Sequence, residues 1–485
     1  MKQHYLPALL CVLLGGAASG KAVVTNTAAN LVLGQTDFVT NAVAPVTSSF
    51  SLSGPSGITI DPISRKVFVV DQHGNRILRY ASVSSLTNGA GAEAVFGQAR
   101  FSTTTSGTTD LKLSDPHALF FDQKGRLWVA DSGNNRVLMY EVASYRETNA
   151  FPDRVYGQPD FTTTGSGTTS IKFARPDAIW VDNADRLWVA EENNHRVLRL
   201  DSISTKANGA AADGVLGQAN FTSNSPSAGS SGLQLPTGIA VSAAGTLYVT
   251  CFADNRVMVF QNAATLGNGA GANSVLGQAN FSTSTSGLTS STFNGPCGVY
   301  LTSDDTLWVC EYFNSRMLRF DKVSTKASGA AADGVVGQPD FTTSSTGVTN
   351  RKLNFPFLQP FADTNGDLWV PDRSNDRVLR FPADGTKPLL AVTTTIPKTT
   401  SLKKFTIKGT ASDASGITKM QYKVNNGTVK TATGTTSWQF KASLASGNNT
   451  ITIFATDKAN NQSVSKVLKI KRTSGVAPLT LAAAE

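Results

Sequence analysis

At 485 residues the chain is longer than one ordinary domain and has room for two or three. Apolar residues make up 40% of it and charged residues only 16%, with 42 glycines and short apolar runs, which excludes a helical protein and points to an all-β, turn-rich one. The net charge of +9 is unevenly placed: residues 388–485 carry 13 Lys+Arg against 3 Asp+Glu, so a near-neutral body is followed by a strongly basic second domain.

In chain order, the first element reads as a secretory signal over residues 1–22. Lys2 supplies the charge, Leu6 to Leu14 a short apolar core, and Gly15 to Gly20 the small residues before a cleavage site between Ala18 and Ala22. The apolar stretch is too short to span a bilayer, and no later segment approaches a span. The expected location is secreted, extracellular or periplasmic. Beyond the signal only Cys251, Cys297 and Cys310 remain. An odd number this small is not a disulfide framework, so the core must hold the fold. Cys297 and Cys310 fall roughly opposite each other if their hairpin turns at Ser303-Asp304. A bridge and a pair of reduced thiols both fit that placement.

The body is repetitive. Six segments read V-x-G-Q with Phe at a fixed distance: Val32 to Gln35, Val95 to Gln98, Val155 to Gln158, Val215 to Gln218, Val275 to Gln278 and Val335 to Gln338. The first two glycines are 63 residues apart and the others 60. A second motif also occurs six times, most clearly at Asp115 to Tyr140 and Arg175 to Leu200. It predicts three strands: one after a proline (Ala118 to Phe121), one at Leu127 to Ala130, and one at Val137 to Tyr140 after an Asp-x-x-Asn-Asn-Arg turn. V-x-G-Q supplies a fourth. These strands are apolar on both faces, so their sheets must stack on each other, and radial stacking does so while leaving short, protected edges. The chain opens with a lone fourth strand and ends the repeat region at Phe381 without one. The first segment is therefore expected to complete the last of six blades.

The run LWVADSGNNRVLMY at Leu127 to Tyr140, and Lys66 to Asp71 with Asn75-Arg76-Ile77, resemble the NHL repeat. The V-L-G-Q-x-x-F element is similar to that of secreted bacterial NHL-repeat proteins. The resemblance covers residues 31–382 and implies a six-bladed β-propeller, here with repeats longer than is common and two long loops in each. That family includes RNA-binding, protein-binding and lyase domains, so it implies no single function. Residues 388–472, with short alternating strands, Gly/Asn turns and Trp438 as core, resemble a bacterial immunoglobulin-like β-sandwich. Residues 473–485 read as a flexible tail.

The strand order puts the strand-two-to-three turns and the long Ser/Thr loops, such as Phe161 to Thr169, on one face of the ring. The residue after each blade's proline is expected at the mouth of the channel: Ser56, His117, Asp177, Thr237, Cys297 and Phe357 are the candidate ligand-binding residues. Peptide-amidating lyases of similar propeller type place zinc-binding histidines in Pro-His-Gly-like segments. Only Pro116-His117-Ala118 matches here, so a three-histidine zinc site is not available. No cofactor is expected. A divalent metal in the channel, held by His117, Asp177 and Cys297, is the weaker alternative. The repeated pairs Asp71/Arg76, Asp131/Arg136, Glu191/Arg196, Glu311/Arg316 and Asp372/Arg377 read as structural, with Cys251 replacing the acid in blade four. Trp128, Trp188, Trp308 and Trp369 read as interblade core, Trp180 as facing the channel or a neighbouring blade, and His73 and His195 as surface residues.

These features point to an extracellular, non-enzymatic binding or scaffold protein that presents its Ser/Thr-rich face to a polysaccharide or protein. The basic C-terminal domain leaves open electrostatic attachment to an anionic envelope surface. The alternative is a lyase or hydrolase, metal-dependent or not, at the channel mouth. Nucleic acid is not an expected partner, because the propeller is near-neutral and exported.

Overall fold

A computed structural model describes residues 23–41, 47–413, 415–457, 459 and 461–473. The signal segment, and the tail from residue 474 onward, lie outside the described residues. The chain divides into two compact units, one running from Thr25 to Pro382 and one from Ala383 onward. Among the described residues there are strands and short 3-10 turns but no α-helix, and no helix is long and apolar enough to cross a membrane.

The first unit is six four-stranded antiparallel sheets. In the second blade the strands are Pro116–Phe121, Leu127–Asp131, Arg136–Tyr140 and Arg154–Tyr156, in that order from the centre outward. The first three predicted strands are each extended by one or two residues, and the fourth, Arg154–Tyr156, ends before Gly157 and Gln158 of its motif. Leu127–Asp131 is buried at all five positions, as sheets stacked on both faces require. Full burial of a large apolar side chain such as Leu127 or Val129 contributes about 1.5–3 kcal/mol. Trp128, Trp188, Trp308 and Trp369 are all in this interior. Three of these indoles donate to the aspartate that opens their blade's inner hairpin: Trp128 to Asp122 (2.9 Å), Trp188 to Asp182 (3.0 Å) and Trp369 to Asp363 (3.3 Å).

The ring closes as the motif order predicts. Leu31–Leu33 pairs antiparallel with Arg377–Phe381, placing Val32 opposite Leu379. Inner strands pack on their neighbours all the way round, the sixth blade meeting both the fifth and the first.

The axis of the ring is filled. Phe120, Trp180, Tyr300 and Phe361 from four inner strands form a chain of aromatic contacts with centroids 4.6, 5.9 and 4.8 Å apart. Trp180 therefore faces the channel. Nearer the mouth, the sixth blade's inner strand is reduced to Phe361–Ala362, and the residues before it cross the axis. The Gln359 amide N–H donates to Ser56 O (3.0 Å), Gln359 O accepts from Ile58 N (3.3 Å), and its side chain accepts from Leu119 N (3.1 Å). Leu358 sits so close to blade five that a Cβ on Gly298 would lie 1.5 Å from Leu358 O, so only glycine fits there.

The three cysteines are free and buried. Cys310 pairs with Gly298 rather than Cys297, because a bulge between Pro296 and Gly298 shifts the register.

The second unit is a β-sandwich. One sheet holds Leu389–Val392, Lys404–Ser412 and Ser437–Ser443. The other runs Thr399–Thr400, Lys466–Arg472, Gly447–Asp457, Ile417–Val424 and Lys430–Thr431. Alternation of buried and exposed residues is regular along Ser437–Ser443. Trp438 lies in the core, and Tyr422 stacks on Phe440 at 3.7 Å.

Candidate functional site

One face of the propeller is built by three repeated devices. The first is a buried arginine at the start of each third strand. Arg136 pairs with Asp131 through Nε (2.7 Å), while its Nη atoms donate to the carbonyls of Thr109 and Lys112 (2.9 Å each) and Phe161. It thus clamps the turn to the long loops on either side. The other five blades repeat this. In blade four, where Cys251 replaces the acid, Arg256 pairs instead with Asp254 (2.8 Å). The second device explains the V-x-G-Q motif. Each glycine has a positive φ, and the glutamine that follows reaches back to the turn: Gln98 Nε2 donates to Asn75 O (2.9 Å) and Thr105 O (3.0 Å).

The third device crosses between blades. The residue before each strand-three arginine is left-handed, and its side chain accepts the backbone N–H of the residue preceding the next blade's proline. The pairs are Asn75 with Asp115, Asn135 with Arg175, His195 with Leu235, Asn255 with Gly295, Ser315 with Phe355, and Asp376 with Gly54. The last closes the circle. Each accepted residue also has positive φ, between 47° and 64°. A ring of six such residues surrounds the mouth, and His195 is part of its support rather than a bystander.

The mouth has two unlike halves. Blades one to three supply a polar cluster. His117 is fully buried, with Nδ1 2.8 Å from Asp177 Oδ1 and Nε2 3.3 Å from Asp115 Oδ2. Gln72 and Arg175 also approach Nε2, each at 3.1 Å. Burial opposes charge on this imidazole, but the carboxylates on its two nitrogens outweigh that and raise it to about 9. We therefore assign it as imidazolium, with the Arg175 guanidinium and the Gln72 amide beside its Nε2. Gln72 donates to Asp115 (2.7 Å), and Arg175 pairs with Glu192 (2.5 Å) and Asp115 (3.3 Å). Burial likewise opposes ionisation of Asp115, and the hydrogen bond from His117 with the nearby charges holds its carboxyl far below the usual range. Arg175 and Asp115 keep 34% and 36% of their side chains open to solvent.

Blades four to six supply an aromatic cluster. Tyr312 touches Phe313, Phe355 and Phe357 at centroid distances of 5.1, 4.9 and 5.6 Å, and Phe252 lies 5.7 Å from Phe313. Phe313 is 49% exposed. The Arg373 guanidinium lies 4.4 Å over Phe357. The halves meet where Phe357 makes an edge contact with His117 at 6.1 Å.

Of the six residues expected at the mouth, five are buried and Phe357 is half-buried. His117 and Asp177 come together, and Phe357 joins them. Ser56 donates to His117 O (2.8 Å), Thr237 bonds Thr250 (3.2 Å), and Cys297 Sγ contacts Cys310 O and Pro356 O (3.6 Å each). These residues form the floor. The residues open above them lie two positions earlier, before the proline, or directly after the last residue of strand two: Asp115, Arg175, Phe355, Glu192, Phe252, Tyr312 and Arg373. The signal that could have found them is the same repeat alignment read at those two columns. Thr162 and Thr342 stay exposed while donating to Asp160 and Asp340 of their own loops.

Both ring nitrogens of His117 are occupied, and Cys297 bonds away from it, so this trio does not fit a metal. Among the described residues, three ligands come within reach of one another at Asp384, Asp413 and Asp457, in the second unit. A cleft of about 210 Å³ lined by Asp71, His73 and Arg76 in blade one is smaller than small-molecule sites of about 300–1,000 Å³.

Residues 113–140 match the family model of the NHL repeat, and residues 388–453 match that of the bacterial Ig domain, so the chain carries both. Solved structures similar to it include virginiamycin B lyase from Staphylococcus aureus (12% identity, TM-score 0.40, covering 68% of this chain and 96% of that one). A gluconolactonase from Xanthomonas campestris is similar at 13% identity and TM-score 0.41, covering 75% and 98%. A luciferin-regenerating enzyme is similar at 12% and 0.41, covering 70% and 94%. At such identity their activities say nothing about the chemistry of this chain. No curated protein matches its sequence.

Proposed function

We propose that this is an extracellular, non-enzymatic binding protein whose propeller mouth holds a glycan. The observation that carries the reading is the division of the mouth. Carboxylates and a guanidinium suited to hydroxyl groups share the mouth with aromatic rings suited to the apolar face of a sugar, the two halves meeting where Phe357 touches His117. The cluster is built to stay fixed. Its arginine, histidine and acids are mutually paired, and the imidazolium supplies no free base at neutral pH.

A lyase or hydrolase at the mouth would need a base in reach of a nucleophile or an acidic C–H. The Ser56 hydroxyl donates to the backbone carbonyl of His117 rather than to its ring. The expected location outside the cell accords with the signal-like first 22 residues and the bacterial Ig domain.

The test is titration of the full chain with neutral oligosaccharides of differing linkage, and with Tyr312→Ala, Phe313→Ala and Arg175→Gln variants. At least one oligosaccharide is expected to bind, with affinity falling about tenfold in each variant, as loss of one stacking or charge-assisted contact implies. Absence of binding across the panel, or binding indifferent to all three changes, overturns the reading.

A further inference from the structure

The second unit segregates its charges to an unusual degree. Its described acids, Asp384, Asp413 and Asp457, gather within 4.8 Å of one another. The other charged side chains among its described residues are basic, and among them no lysine forms an ion pair.

The strand register shows where the lysines go. On Ile417–Val424 and Lys466–Arg472, the exposed positions include Lys419, Lys423, Lys469 and Lys471. The strand between them presents Thr450, Thr452 and Thr456 to the same side, with Lys423 beside Thr452 and Lys469 beside Thr450. No acid interrupts this face. On the opposite sheet, Lys404 and Lys408 flank the position of Thr406, which pairs with Lys441. That face also lacks acids.

Geometry decides what such a surface can hold. Successive same-face residues on a strand lie about 7 Å apart, and alternate strands about 10 Å apart. Lysines so spaced cannot converge on one phosphate or carboxylate, but they match anions that repeat along a chain. A planar bilayer can touch only one of the two faces, whereas a polymer can run over both. Single-stranded nucleic acid is held by stacking platforms as well as charge, and Phe454 is the one aromatic among the strand residues of the two outer faces.

We propose that the sandwich is a binding surface for a linear anionic glycopolymer, whose repeated phosphate or carboxylate groups pair with the two lysine faces. This does not depend on the reading of the propeller mouth.

The test uses the full chain with poly(glycerol phosphate), polygalacturonate, a thymidine homopolymer of single-stranded DNA, and phosphatidylglycerol vesicles. One or both glycopolymers should bind, more weakly as salt rises through counter-ion release. Replacing Lys419, Lys423, Lys469 and Lys471 together by Gln should weaken this at least tenfold. Adding Lys404→Gln, Lys408→Gln and Lys441→Gln should weaken it further, and the same positions changed to Arg should retain it. These side chains are exposed, so the variants should melt like the parent. A Lys124→Gln change at an exposed lysine of the propeller should leave polymer binding unaltered. Equal binding by parent and Gln variants overturns the proposal, as does DNA or vesicle binding as tight as that of both glycopolymers.

Discussion

His117 Nδ1 lies 2.8 Å from Asp177 Oδ1 across the boundary between the second and third blades, in a site closed to solvent. With Asp115 on the other nitrogen, the ring is held as a cation between two carboxylates. This ion triad joins neighbouring blades at the edge of the mouth.

Its pH dependence follows from linkage. The imidazole titrates near 6.5 in an open chain and at about 9 in the fold. The native state therefore holds the proton more tightly. Its stabilisation, on the order of 3 kcal/mol, is complete below about pH 6.5 and is lost as pH rises through 9. Urea denaturation between pH 6 and 9.5 should show this decline, and His117→Gln should flatten it. An unchanged slope in the variant, or a neutral ring by NMR at pH 7, would contradict the assignment.

Removing half of a buried pair should cost more than removing both. Arg136→Ala leaves Asp131 charged, buried and without its partner, and releases two loops. A loss of about 3–5 kcal/mol is expected. Asp131→Leu combined with Arg136→Met should be less damaging than Arg136→Ala alone. Denaturant midpoints of the two proteins decide the order, and the reverse order would place the stability elsewhere.

The ring should depend on its borrowed strand. A chain lacking residues through Gln35 leaves Arg377–Phe381 as an open edge where Val32 now faces Leu379. Its melting temperature should fall by several degrees and its aggregation should rise with concentration. A peptide of residues 30–36 added in trans should partly restore it by pairing with that edge. An unaltered melting curve would mean that the closure carries no stability.

The blade count, the strand pattern, the closure by Val32 and the structural role of the arginine pairs were all readable from the sequence. Each is enforced by local chemistry repeated around the ring: strands apolar on both faces, a left-handed turn residue in all six blades, and in five of them an acid five residues before an arginine. The sandwich was readable for the same reason, from alternation around Trp438. The site was only partly so. The position after the proline contains His117 and Asp177, which the fold brings together, but burial turns most of that ring into floor. The aromatic half came from single departures from the repeat, at Phe252, Tyr312, Phe313 and Phe355, which lie far apart in the chain and resemble ordinary turn variation when read one by one. Sequence determines what each blade is, because that depends on near neighbours along the strand. Only the closed ring decides what the mouth is, because it brings one residue from every blade to the same place and lets burial and charge fix the proton on His117.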